Sequence, residues 1–243
     1  MIAPLAARGL RRCFGEERAI DGVDIDVAAG EVHAIVGLNG AGKTTLMRLL
    51  LGMLRPDSGQ ATVLGFDAHE APPSAWARVG HLIESPFAYP ELTVRENLMA
   101  SALLHGLTAP VIDAAVSQVI DGFELDHWAG RRAHTLSLGN RQRLGLASAM
   151  VHEPSVVVLD EPANSLDPAG VVFVRDLLGE YAERGAAVLV SSHHLDQLAR
   201  VAHRISVMHR GRIVGTMDPA GVDMEQRFFD LVHEYDLALE SET

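Results

Sequence analysis

The segment Gly37-Leu38-Asn39-Gly40-Ala41-Gly42-Lys43-Thr44 limits what this chain can fold into more than any other feature. Before it, Glu31-Val32-His33-Ala34-Ile35-Val36 alternates and then runs apolar, as a strand entering a buried sheet does. After it, Leu46, Leu49, Leu50 and Met53 recur at helical spacing, which predicts a helix over residues 44–54. Strand, glycine-rich G-x-x-x-x-G-K-[ST] turn and helix, in that order, make a cradle for phosphate. The glycines let successive backbone N–H groups close around phosphate oxygens, and the helix start adds its positive dipole end. Lys43 then reaches the outer phosphates as a point charge, and the Thr44 hydroxyl, followed by Thr45, suits Mg²⁺. Lys43 is the one lysine among 20 basic residues, the others being arginine, so it marks a position that a guanidinium does not serve.

A second strand pattern ends in acids. Val156-Val157-Val158-Leu159 is purely aliphatic and runs into Asp160-Glu161. Burying that run pushes both carboxylates to the strand's carboxyl edge, where open α/β sheets bind ligands. Asp160 there suits Mg²⁺, and Glu161 suits a general base that polarises an attacking water.

The remaining pattern is strands alternating with helices, hence a largely parallel sheet. Residues 2–35 read as short strands with turns at Gly9, Gly15, Asp21-Gly22 and Ala29-Gly30. Pro56-Asp57-Ser58-Gly59 reads as the turn that ends the first helix. Thr93 followed by Glu96 is a capping box. Helical spacing recurs over 113–120, 141–151, 171–184 and 195–202. Residues 186–191 read as a buried strand, and Ile205-Ser206-Val207-Met208 with Arg212-Ile213-Val214 as a hairpin around Gly211. The predicted architecture is α/β, a mainly parallel core sheet with N-terminal antiparallel strands. Residues 1–86 and 155–220 form the core lobe, 87–154 an inserted helical subdomain, and 221–243 a short helical tail.

Composition excludes several classes. A formal net charge of −12 lacks the basic excess of a duplex-binding protein, which argues against nucleic acid as a partner. One cysteine, Cys13, rules out an internal disulfide and fits a reducing cytosol. No run approaches the roughly 18 to 20 apolar residues needed to cross a bilayer, and Met1 to Leu10 lacks a secretory core. Any membrane part is therefore expected from another chain.

Leu136-Ser137-Leu138-Gly139-Asn140-Arg141-Gln142-Arg143 resembles the signature of ATP-binding cassette (ABC) ATPases, usually written LSGGQxQR, with Leu138 and Asn140 departing from it. The order phosphate loop, signature, Asp160-Glu161, then Ser191-Ser192-His193 is similar to that family over residues 5–215. The segment Gly80-His81-Leu82-Ile83-Glu84-Ser85-Pro86 aligns where most of the family carries a glutamine; here it is Glu84. That exchange, with an SLG signature, resembles the bacitracin-resistance and lantibiotic-immunity exporters.

The resemblance implies an ATP- and Mg²⁺-dependent ATPase that works as a head-to-tail dimer, of identical or paralogous subunits, at the cytoplasmic face of the cell membrane, bound to transmembrane permease subunits. Phe14 would stack on adenine. Ser137 and Gly139 would cover the γ-phosphate held by the Gly37–Thr45 loop of the other subunit, and Asp167, in Ser165-Leu166-Asp167, would link the two sites. His193 would contact the γ-phosphate and orient the water. Glu84 would ligate the metal and assist catalysis, and the 84–89 loop would lie against the permease. Ser137 and Asp167 also suit plain helix caps. The cargo implied is a peptide antibiotic or similar amphiphile. DNA-repair ATPases of the wider kind insert a coiled coil or zinc module, and translation-associated members carry two cassettes; this chain shows neither feature.

Overall fold

The computed structural model describes residues 3–192 and 199–241. The chain begins with two long antiparallel strands, β1 (Leu5–Phe14) and β2 (Glu17–Val27), and then enters β3 (Val32–Val36). The phosphate-cradle segment leads into α1 (Lys43–Leu50), followed by β4 (Ser58–Val63), β5 (Phe66–Asp67), the short α2 (Pro73–Trp76) and β6 (Val79–Leu82). Three helices come next: α3 (Val94–Leu104), α4 (Ala109–Gly122) and α5 (Leu138–Met150). The chain returns through β7 (Val156–Leu159), α6 (Pro168–Glu183), β8 (Ala187–Ser192), β9 (Arg204–His209), β10 (Arg212–Met217) and α7 (Met224–Ser241).

Among the described residues the strands form two sheets, one ordered β2-β1-β4-β5 and antiparallel, the other β10-β9-β3-β8-β7-β6. In the second sheet β6, β7, β8, β3 and β9 run parallel and β10 is antiparallel at the edge. Both faces of that sheet are covered, which is why its strands read as unbroken aliphatic runs. Ile35, Val156, Val158, Ala187 and Leu189 pack with Leu46, Leu49 and Leu50 of α1 and with β1, β2 and β4. The alternate residues Val36, Val157, Leu159, Val188 and Val190 face the other way, into a core shared with α3 to α6. Helix α1 is therefore clamped between two sheets.

Three local expectations need correction. Gly9 and Gly22 are not turns between short strands: both sit inside long strands with φ of 57° and 73°, where the β1–β2 register shifts. There they form bulges that bend the ladder, and the Asp24 carboxylate accepts the Gly9 N–H at 2.9 Å. The first helix ends at Leu50 rather than residue 54, because Gly52 turns the chain at φ 64° against the Ala68 carbonyl. Ser58 and Gly59, expected in a turn, already belong to β4. The capping box forms as its spacing predicts: Thr93 Oγ1 accepts from Glu96 N, and Glu96 accepts from Thr93 N at 2.7 Å. Most of the expected 195–202 helix lies outside the described residues.

Candidate functional site

Strand order decides which side chains meet. β8 lies between β3 and β7, with Val36 opposite Ser192 and Leu159 opposite Val190. The loop leaving β3 and the acids leaving β7 thus emerge on either side of Ser191. Lys43 is buried, and its ammonium donates to the Gly37 carbonyl at 2.7 Å while lying 3.5 Å from Glu161 Oε1. Thr44 Oγ1 donates to Asp160 Oδ2 at 2.6 Å. Ser191 Oγ donates to Asp160 Oδ1 at 2.5 Å and accepts the Glu161 N–H at 2.9 Å. Lysine, threonine, two acids and a serine therefore share one connected network.

The loop itself is shaped by close approach. A Cβ at Gly37 would stand 2.3 Å from the Met208 carbonyl oxygen, and one at Gly42 would meet Ala19 O at 2.6 Å. Gly42 also adopts φ 106°, open in practice only to glycine, and is the residue that starts α1. The Gly211 N–H donates to the Ala41 carbonyl, tying the loop to the β9–β10 turn.

A cleft of about 310 Å³ opens over this network, lined by Phe14, Glu17, Ala19, residues 39–45, Asp160 and Glu161. Phe14 is half exposed at its rim, with the Arg12 guanidinium over the ring at 5.0 Å and Arg12 held by Asp57 at 2.9 Å. Of the residues singled out from sequence, Phe14, Asn39, Gly40, Ala41, Gly42, Lys43, Thr44, Thr45, Asp160 and Glu161 meet here. Gly37 lies behind the loop, and the Leu38 side chain is exposed.

The others lie elsewhere. Glu84 does not line this cleft: its carboxylate is 2.5 Å from Arg48, one helical turn beyond Thr44, and it borders a separate groove of about 350 Å³ with Phe87, Tyr89 and Leu104. In this conformation the Glu84 carboxylate is paired with Arg48. Ser137 caps α5 by accepting from Asn140 N at 3.3 Å, and Asp167 caps α6 by accepting from Gly170 N at 2.8 Å. His193 lies outside the described residues. Sequence patterns gave no role to Arg48, Arg12 or Ser191. Only Ser191 left a local trace, as a hydroxyl following the apolar run of β8.

The family model described as ABC transporter matches residues 20–164. The chain belongs to the ABC transporter family. It is 34% identical over 206 residues, 84% of its length, to the bacitracin transport ATP-binding protein BcrA of Bacillus licheniformis, covering 66% of that protein. It is 37% identical over 212 residues, 86% of its length, to the daunorubicin resistance ATP-binding protein DrrA3 of Streptomyces coeruleorubidus, covering 67% of it. The chain thus spans about two thirds of these relatives' length. The solved structure of the ATP-binding subunit of an ABC transporter superposes with a TM-score of 0.84 at 26% identity, over 99% of this chain and 100% of that one. As a member of this family the chain is an ATPase. No helix among the described residues is long and apolar enough to cross a membrane.

Proposed function

We propose that the chain binds MgATP in the cleft between Phe14 and Glu161 and hydrolyses it to drive export through separate membrane subunits. The observation that carries this is the single cleft joining an exposed aromatic ring, a glycine-bound loop, one buried lysine and two acids. Phe14 offers a π face to adenine. The backbone N–H groups of residues 39–45 surround the phosphates. The Lys43 ammonium, held between the Gly37 carbonyl and Glu161, turns toward the β- and γ-phosphates once they are present.

Thr44 Oγ1 and Asp160 Oδ2 are hard oxygens 2.6 Å apart, a small donor set of the kind Mg²⁺ uses when phosphates and water complete its shell. Bound there, the ion would neutralise charge on the β- and γ-phosphate oxygens. Ser191 fixes the Asp160 carboxylate and the Glu161 backbone. Glu161 then takes a proton from the attacking water. As the water oxygen bonds to the γ-phosphorus, the bond to the β–γ bridging oxygen breaks. ADP leaves with its new charge beside Lys43.

Ser137, Gly139 and Asp167 supply the missing wall from a second cassette, with exposed Leu138 on the same helix start. His193, just beyond β8, completes the γ-phosphate shell. The groove bordered by Glu84, Phe87 and Tyr89 receives the permease. Glu84 reaches the metal only when it leaves Arg48. The relatives named for bacitracin transport support a peptide antibiotic or similar amphiphile as cargo, at the cytoplasmic face of the membrane. The daunorubicin resistance relative favours a second reading, a planar polycyclic amphiphile. Protection of cells co-expressing the chain and its permease against bacitracin or against daunorubicin separates the two.

Titrating MgATP into the full chain in a calorimeter should give saturable heat, and Glu161→Gln should keep that heat while turnover falls about 10²- to 10⁴-fold. No heat with the folded wild type overturns the nucleotide assignment. Undiminished turnover in Glu161→Gln removes that residue from the base role.

A further inference from the structure

Gln142 lies four residues inside α5, in the stretch that resembles the family signature, and nothing in the mechanism above uses it. Its side chain is buried at 5% exposure, and Nε2 donates to the Pro162 carbonyl at 2.9 Å. A carbonyl only accepts, so the amide nitrogen must face it. Pro162 directly follows Glu161, and Glu161 adopts φ 51°, a conformation uncommon for any residue but glycine.

Two hydrogen bonds therefore bracket Glu161. On its N-terminal side its own N–H donates to Ser191 Oγ at 2.9 Å. On its C-terminal side the next carbonyl is held by Gln142. The loop beyond closes on itself through Asn164 N to Glu161 O at 3.1 Å and Leu166 N to Ala163 O at 3.2 Å. It also runs close to the start of α5: a Cβ on Gly139 would stand 3.2 Å from the Ser165 carbonyl oxygen. Near its middle, one turn beyond Gln142, α5 is seated on the core without slack, since a Cβ on Gly145 would meet Pro86 Cβ at 2.4 Å and Leu82 Cδ1 at 2.8 Å. A donor on so firmly seated a helix sets where Pro162, and through it Glu161, can lie.

We propose that Gln142 is a positioning residue for Glu161: its amide fixes the backbone just beyond the base, so that the Glu161 carboxylate meets the attacking water. The proposal rests on the base role given to Glu161 above. Because Ser137 starts the same helix, displacement of α5 by a second cassette would reach Glu161 through this bond.

The test replaces the donor and keeps the shape. Gln142→Met is unbranched, apolar and of similar length; Gln142→Leu is close in volume and has no donor either. In the full chain at saturating MgATP, both should lower kcat about 10- to 100-fold, the scale of an ångström's misplacement of a reacting group. KM for ATP and calorimetric affinity should stay within about twofold. In a Glu161→Gln background, where the base is gone, Gln142→Met should cost no more than about twofold further. Wild-type kcat in Gln142→Met overturns the positioning role while leaving the base role standing. Equal losses of kcat and affinity overturn it too, because they report general disruption of the loop. Wild-type turnover in Glu161→Gln alone strikes instead at the base role. If Gln142→Met does not fold, Gln142→Leu, which also lacks a donor, carries the same comparison, and a full kcat in Gln142→Leu overturns the proposal.

Discussion

Two regions of this molecule differ in how far their polar groups are joined into one network. At the carboxyl edge of the sheet, Lys43, Thr44, Asp160, Glu161 and Ser191 are satisfied by one another. At the start of α5 and in the 83–89 loop, the groups do not join into one network. Ser137 caps its own helix, Leu138 and Phe87 are exposed, and Glu84 pairs with Arg48. The first region has a shape of its own because it grows from strand ends locked by the parallel ladder. The second leaves the apolar side chains of Leu138 and Phe87 exposed beside polar groups paired within the chain.

The sharpest way to break this contrast is Lys43→Ala. Removing a buried ammonium that completes the first region should weaken MgATP binding about 100-fold or more, as loss of a buried charged partner does. Calorimetry reads it directly. An affinity within about threefold of wild type would mean that the loop backbone holds the phosphates alone, and that the two regions differ less than the hydrogen bonds suggest.

In the second region the expected effects are smaller and divided. Ser137→Ala removes a cap worth about 1 kcal/mol, which lowers Tm by about 2–4 °C in a chain of this size. MgATP affinity of the isolated chain should not move by more than about twofold, since Ser137 does not line its own cleft. Turnover that depends on dimer formation should fall about tenfold, the value of one charge-assisted hydrogen bond to phosphate. Ser137→Asn keeps a cap acceptor and should restore the melting temperature without the turnover. If asparagine restores both, the serine is a helix cap and the second region has no role across a dimer.

How much of each region was visible in the sequence follows the same division. The phosphate loop and the Val156–Glu161 strand are local patterns, and local patterns survive folding when a strand is buried on both faces. The capping box at Thr93 is likewise complete within four residues. What stayed hidden depends on pairings between distant residues. Nothing near Glu84 in sequence announces Arg48 as its counter-ion; the pair forms only where β6 ends beside α1. The Gln142–Pro162 bond spans 20 residues and the Ser191–Asp160 bond 31. Gly9 and Gly22 show the converse: a glycine announces an unusual φ but not whether it belongs to a turn or to a bulge within a strand.

Glu84→Gln refines the comparison at the seam between the regions. The change removes one half of an ion pair whose side chains are 36% and 55% exposed, a setting in which such pairs contribute little. MgATP affinity should shift by less than about threefold and stability by less than about 1 kcal/mol. Freed of its partner, Arg48 would face the groove, so the effect should appear in transport measured with the permease, as a changed number of ATP molecules hydrolysed per cargo moved. A loss of ATP binding comparable to that of Lys43→Ala would place Glu84 in the first region after all.

The last expected effect is silent at neutral pH and appears only on acidification. On the groove side the rings of His105 and His152 stack, with centroids 3.7 Å apart and planes 8° from parallel. Burial, with the neighbouring His105 charge, pushes the His152 imidazole down from 6.5 to about 3. Above the unfolded value both states hold it neutral, and it contributes nothing to the pH dependence. Below that value the unfolded chain takes up a proton that the native chain refuses, so stability falls by about 1.4 kcal/mol per pH unit until the native value is reached. His152→Phe keeps a flat ring against His105 and cannot titrate. Urea unfolding should therefore give a wild-type-minus-variant difference that becomes about 2 kcal/mol more unfavourable to the wild type on going from about pH 7.5 to about pH 5. A difference that does not change with pH would mean the imidazole is solvated in the native state, and that the groove wall is more open than the cleft rather than more apolar.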